Sequence, residues 1–166
     1  MDSYSVQILL HDLKNQLQKM LAVLHLYPED TDKSNAQILR MTNIIKLYEN
    51  LYIRYEYVDP VETIDLIKRL HNRIIEFDEV QLLSVDQMIM KVALMYIAWI
   101  AKERDLVIKI PFEKEIILSS KNANIGSIYA IDESSNSMYS NAISKVANAN
   151  GVSIKFEPEY ILLSLI

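Results

Sequence analysis

Val6, Leu10, Leu13, Leu17, Met20 and Leu24 are spaced alternately four and three apart, which predicts an amphipathic helix over 3–26 that stops before Pro28. The polar stretch 28–32 has the length of a turn between antiparallel neighbours. A second helix follows, opened or reinforced by a capping box at Ser34-Asn35-Ala36-Gln37. Its apolar steps fall at Ile38, Met41, Ile45, Tyr48, Tyr52 and Tyr55. Two such helices joined by a tight turn make an antiparallel hairpin. A hairpin cannot bury both apolar seams by itself. A second copy related by a two-fold axis would close them into a four-helix bundle, or later helices of the same chain would cover them.

Val58-Asp59-Pro60 ends the second helix, and Ile64, Ile67, Leu70, Ile74 and Phe77 predict a third over 61–77. Residues 79–83 read as a short strand. Ser84-Val85-Asp86-Gln87 reads as a capping box for a helix over 85–104 that is apolar nearly all round, hence covered on several sides. Composition then shifts to β-branched runs at 106–110 and 115–118, separated by Pro111 to Lys114, which read as strands. Residues 122–131 give no clear pattern. A helix over 133–149 stops at Asn150-Gly151, and two strands, 152–157 and 160–166, form a hairpin around Pro158. The expected fold class is α+β. The expected domains are a helical hairpin over 1–58 and a small α/β domain over 59–166, in which 59–78 is a connecting helix.

Composition narrows the function classes. About half the 166 residues are apolar, enough for a real core. A net charge of −5 leaves no basic stripe to neutralise phosphates, so a nucleic-acid partner is not expected. The absence of cysteine excludes disulfides and thiolate metal sites. No signal peptide is visible, and the apolar run 88–101, at about 14 residues, is short for a membrane span. The expectation is a soluble, cytoplasmic protein with no membrane partner.

Candidate chemistry centres on His11, which falls outside the apolar stripe of the first helix. It lies on a polar flank with Gln7, Lys14, Asn15 and Gln18, at one or two turns' distance. The string Leu10-His11-Asp12-Leu13-Lys14-Asn15-Gln16-Leu17 resembles the phospho-accepting H-box of two-component histidine kinases and histidine phosphotransferases, where His-Asp/Glu-Leu-(Lys/Arg)-Asn-x-Leu is a common form. The resemblance implies a dimeric four-helix bundle formed by the hairpin, with His11 as the phospho-acceptor. Asp12 would orient the ring or hold a proton, and would favour the imidazolium after transfer. Lys14 would neutralise phosphoryl charge, and Asn15 would hydrogen-bond the phosphoryl group or a water. Gln7 and Gln18 would contact the partner. An imidazole of ordinary pKa, about 6.5, is largely neutral in the cytoplasm and able to attack.

The second half extends the resemblance. Tyr139-Ser140-Asn141-Ala142-Ile143-Ser144-Lys145, with Gly151 to Phe156 after it, is similar to the Asn-bearing helix and strand of the kinases' ATP-binding domain. The stretch Ala101 to Ile108 is similar to the approach to that domain's first long strand. The 58–77 segment has no counterpart in this similarity. Kinases close the nucleotide in with glycine-rich segments, because the backbone must approach it closely and adopt positive φ. Here only Gly126 and Gly151 occur in the whole chain, one of them after Asn141, and no Asp-x-Gly exists. The expectation is an ATPase-like domain without nucleotide-binding glycine boxes, not an active ATP-dependent kinase, with Asn141 a remnant of the fold.

The resemblance as a whole implies a histidine phosphotransferase of a two-component phosphorelay. Such a protein would exchange a phosphoryl group between His11 and the aspartates of response-regulator receiver domains. It would have no cofactor of its own, Mg²⁺ being supplied by the receiver. The alternative is a non-catalytic dimeric scaffold of the same fold that binds and sequesters a regulator or kinase. His25 and His71 read as structural or surface residues, the histidines lack metal-ligand spacing, and no P-loop, Rossmann glycine pattern or nucleophile elbow occurs.

Overall fold

The computed structural model describes residues 3–53, 59–130 and 137–166. The chain divides into two compact units, Met1–Tyr55 and Glu56–Ile166. Among the described residues there are seven α-helices, one π-helical turn and a five-stranded sheet, an α+β fold.

The first unit holds α1 (Ser3–Leu26), α2 (Thr31–Tyr48) and a π-helical turn (Glu49–Ile53). The turn between the helices is pinned by Asp30, whose carboxylate accepts from the Lys33 amide at 3.0 Å and caps α2. The helix therefore starts before the Ser34 capping box, and the Ser34 hydroxyl donates back to the Asp30 carbonyl at 3.3 Å. The faces also differ from the apolar seams. Ile8, Asp12 and Gln16 form the buried stripe of α1, and Ile44, Leu47 and Tyr48 that of α2. Leu10, Leu17, Leu21 and Leu24 on α1, with Ile38 and Ile45 on α2, are exposed. The apolar seam of α1 is thus largely open, and polar side chains join the two helices.

The second unit begins with α3 (Pro60–His71), capped by Asp59 through the Val61 and Glu62 amides at 3.0 and 3.2 Å, with Pro60 in the first turn where no amide donor is required. It ends earlier than the 61–77 pattern implies. Asn72 adopts the left-handed region at φ 50°, and β1 (Ile75–Glu76) then pairs parallel with β2 (Leu106–Phe112). Two long-range contacts draw the chain into that strand. The Ile74 amide donates to the Asp105 carboxylate at 3.0 Å, and the Arg73 guanidinium donates to the Ala101 and Lys102 carbonyls at 3.1 and 3.2 Å.

Residues 79–83 are helical, not a strand. Asp78 caps α4 (Glu79–Leu83) through the Gln81 amide at 3.0 Å, a local bond that outweighs the strand propensity of the run. Ser84 closes α4 by donating to the Gln81 carbonyl at 2.6 Å, and Asp86 is the cap of α5 (Gln87–Ile100), accepting from Met88 at 2.8 Å.

The sheet runs β1-β2-β3-β5-β4, with β3 (Glu115–Ser119), β4 (Val152–Phe156) and β5 (Tyr160–Leu165) antiparallel to their neighbours. Alternate residues Leu106, Ile108, Ile116, Leu118, Ile161 and Leu163 are buried, the period-two pattern of a sheet packed on one face. Helix α5 lies against the sheet and is buried from Ile89 to Ile100 except at Lys91, whose pKa burial lowers. The unpatterned stretch contains α6 (Ile125–Tyr129), and α7 (Ser137–Ala149) precedes the terminal hairpin. Among the described residues no helix is long and apolar enough to cross a membrane.

Both glycines are spent on the fold. Gly151 comes after α7 at φ 66°, a conformation that other side chains rarely adopt. Gly126 seats α6 against the β4–β5 turn. A Cβ there would overlap the Glu157 carbonyl oxygen and lie 2.5 Å from that of Tyr160, both backbone atoms that no rotamer change can move aside. Gly126→Ala is therefore expected to destabilise the second unit by about 3 kcal/mol. The corresponding drop in thermal midpoint is on the order of 12 °C or more, read by calorimetry. A drop under about 4 °C would mean that the turn yields easily.

Candidate functional site

Helix α1 carries all six candidate site residues. At about 100° per residue, Ile8, Asp12 and Gln16 form one stripe and Leu10, Leu17, Leu21 and Leu24 another. His11 falls roughly opposite the midpoint between them, on the side remote from both. Its side chain is 53% exposed.

The ring is hydrogen-bonded on one side. His11 Nδ1 lies 3.1 Å from Asp12 Oδ1, and Asp12 is only 7% exposed. The other carboxylate oxygen, Oδ2, accepts a hydrogen bond from the buried hydroxyl of Tyr48 on α2. An ionised carboxylate only accepts, so the proton of a neutral His11 belongs on Nδ1 and the lone pair on Nε2. A basic ring nitrogen is thereby offered to solvent while its opposite side is tethered to a carboxylate at the hairpin interface. Such a group can act as a nucleophile or a base.

Helical spacing places Lys14 and Asn15 one turn from His11, Lys14 exposed and Asn15 half-buried. Gln7 and Gln18 are exposed on the same flank. Helix α1 thus gathers these six residues on adjoining faces, with His11 and Asp12 hydrogen-bonded to each other. A second polar link lies on the inner face, where the Gln37 amide donates to the Gln16 side-chain oxygen at 2.9 Å and to its backbone carbonyl at 3.4 Å.

Tyr48 is the residue that sequence reasoning placed differently, as one more apolar seam position. Its signal was its hydroxyl: a buried tyrosine usually finds a polar partner, and Asp12 on the buried stripe of α1 needed a donor. Asn141 is exposed on α7, whose buried side chains are Tyr139, Ser140, Ala142, Ile143 and Ala147. His25 is exposed and His71 half-buried. Among the described residues, no group of three or more carboxylate or imidazole side chains converges as a metal site requires.

No family model and no curated protein matches this sequence. Among solved structures, one described as a bacterial phosphotransferase aligns with a TM-score of 0.59 over 98% of this chain and 93% of that chain, at 13% identity. At that identity the likeness is one of fold, and it spans nearly the whole of both chains.

Proposed function

We propose that the chain is a histidine phosphotransferase, exchanging a phosphoryl group between His11 and the aspartyl phosphate of response-regulator receiver domains. The observation that carries this is the exposed imidazole whose Nδ1 faces a buried carboxylate, leaving Nε2 as the nucleophile. The H-box resemblance and the fold shared with a protein described as a phosphotransferase support it.

In the forward step the Nε2 lone pair forms an N–P bond as the P–O bond to the receiver's aspartate breaks. The aspartyl carboxylate leaves with the electron pair. The product ring is a phospho-imidazolium that keeps its Nδ1 proton, and its positive charge faces the Asp12 carboxylate. Transfer onward to a second receiver is the reverse of this step. Little covalent help is needed, since positioning and charge stabilisation dominate phosphoryl transfer. Lys14 would offset phosphoryl charge and Asn15 would donate to a phosphoryl oxygen or a water. Gln7 and Gln18 would meet the receiver, which would bring its own Mg²⁺.

The second unit would act as a degenerate ATPase-like binding surface, since both glycines are engaged in turns and packing instead of a phosphate loop. The open leucine stripe of α1 would pack against a second copy, completing a four-helix bundle with His11 on its outer side.

The test is incubation with a phosphorylated receiver, scored for acid-labile, base-stable label on this chain. Label on His11 is the expected result. Binding to receivers without label would favour a scaffold that sequesters a regulator, and neither label nor binding would end the relay interpretation.

A further inference from the structure

We infer that Tyr48 is a positioning residue that acts on His11 through Asp12; the inference rests on the phosphotransfer reading of His11. The three side chains form one chain of hydrogen bonds across the hairpin. The Tyr48 hydroxyl donates to Asp12 Oδ2, and Asp12 Oδ1 accepts from His11 Nδ1 at 3.1 Å. Tyr48 and Asp12 are both buried, and they sit 36 residues apart in sequence on different helices. A carboxylate on the first helix alone would swing about its χ torsions. A donor on the facing helix fixes its plane, and so fixes which oxygen meets the imidazole.

The consequence is chemical. A free neutral imidazole prefers its proton on Nε2, which would cap the nitrogen that must attack. The Asp12 bond reverses that preference only while the carboxylate is held edge-on to Nδ1. After transfer, the carboxylate held in this way faces the phospho-imidazolium. The π-helical turn Glu49–Ile53 begins directly after Tyr48, and such turns occur disproportionately at functional sites.

Two readouts test this on the full-length protein. The first is the ring tautomer, read from ¹⁵N shifts of the imidazole at a pH where it is neutral. The second is the rate of phosphorylation by phosphoramidate, a probe that needs no receiver: Nε2 attacks phosphorus, the P–N bond breaks and ammonia leaves.

Tyr48→Phe keeps the ring and removes only the hydroxyl. It should shift His11 from the Nδ1–H form towards Nε2–H and slow labelling about tenfold. In an Asp12→Ala background the same change should alter the rate less than about twofold, because the route is already cut. A merely structural tyrosine would slow both backgrounds alike and leave the tautomer in place.

An unchanged tautomer in Tyr48→Phe overturns the proposal whatever the labelling shows, as does an undiminished tenfold effect in the Asp12→Ala background. If label never reaches His11 in the wild type, the phosphotransfer reading fails instead. The tautomer spectrum then decides alone whether Tyr48 governs the ring.

Discussion

His11→Gln is expected to carry no acid-labile label under conditions that label the wild type fully, while folding and binding receivers as before. Glutamine approximates the size and polarity of the imidazole but offers no basic nitrogen: its amide lone pair is delocalised and its oxygen is a poor nucleophile. The site tolerates the change structurally. The His11 side chain is 53% exposed, and glutamine is a good helix former, so stability should move by no more than about 0.5 kcal/mol. The measurement is end-point phosphorylation with a labelled receiver, paired with thermal melting and a binding assay. A variant that melts normally, binds normally and still acquires the label would show that another residue is phosphorylated.

Leu17→Glu is expected to dissociate the proposed dimer into monomers at micromolar concentrations. Leu17 is half exposed on the open stripe of α1, between Leu10 and the exposed Leu21 and Leu24. If that stripe meets a second copy about a two-fold axis, each substitution counts twice. Removing one leucine side chain from an apolar interface costs about 2 kcal/mol per copy, or about 4 kcal/mol per dimer, before any repulsion between the new carboxylates. The dissociation constant would rise about a thousandfold. Sedimentation equilibrium across a hundredfold range of concentration reads this directly. A wild type that is monomeric throughout that range would remove the bundle from the proposal and leave the chemistry of His11 standing.

The sequence disclosed a good deal of this fold, and what it left unreadable has physical reasons. The hairpin of α1 and α2, the buried α5, β2 and β3, and the terminal β4–β5 hairpin each have a strong local signal: long periodic runs, β-branched stretches, or a turn residue in place. Residues 79–83 were misread because the strand propensity of the run was weighed without the aspartate cap just upstream, which starts a helix there. The premature end of α3 was hidden, because it depends on Asp105 and on the carbonyls at the end of α5.

Periodicity also found the apolar stripe of α1 without saying what would cover it. The stripe that faces α2 is the one containing Asp12 and Gln16, which a count of apolar residues passes over. Of the candidate site, His11 and its flank were visible at helical spacing. Tyr48 was not, since nothing local ties a tyrosine on the second helix to an aspartate on the first.

The polar pairs inside the hairpin also bear on how it can move. Sliding α2 along α1 by one turn, about 5.4 Å, would part Gln37 from Gln16 and Tyr48 from Asp12 together. Each group stranded without a partner would cost about 1–3 kcal/mol. Leucines packed on leucines would slip with far less loss, since one apolar contact replaces another. A hairpin fastened this way is stiff along its axis. It suits a part that holds a reactive ring at constant height for visiting partners, and suits poorly one that relays a push from one end to the other.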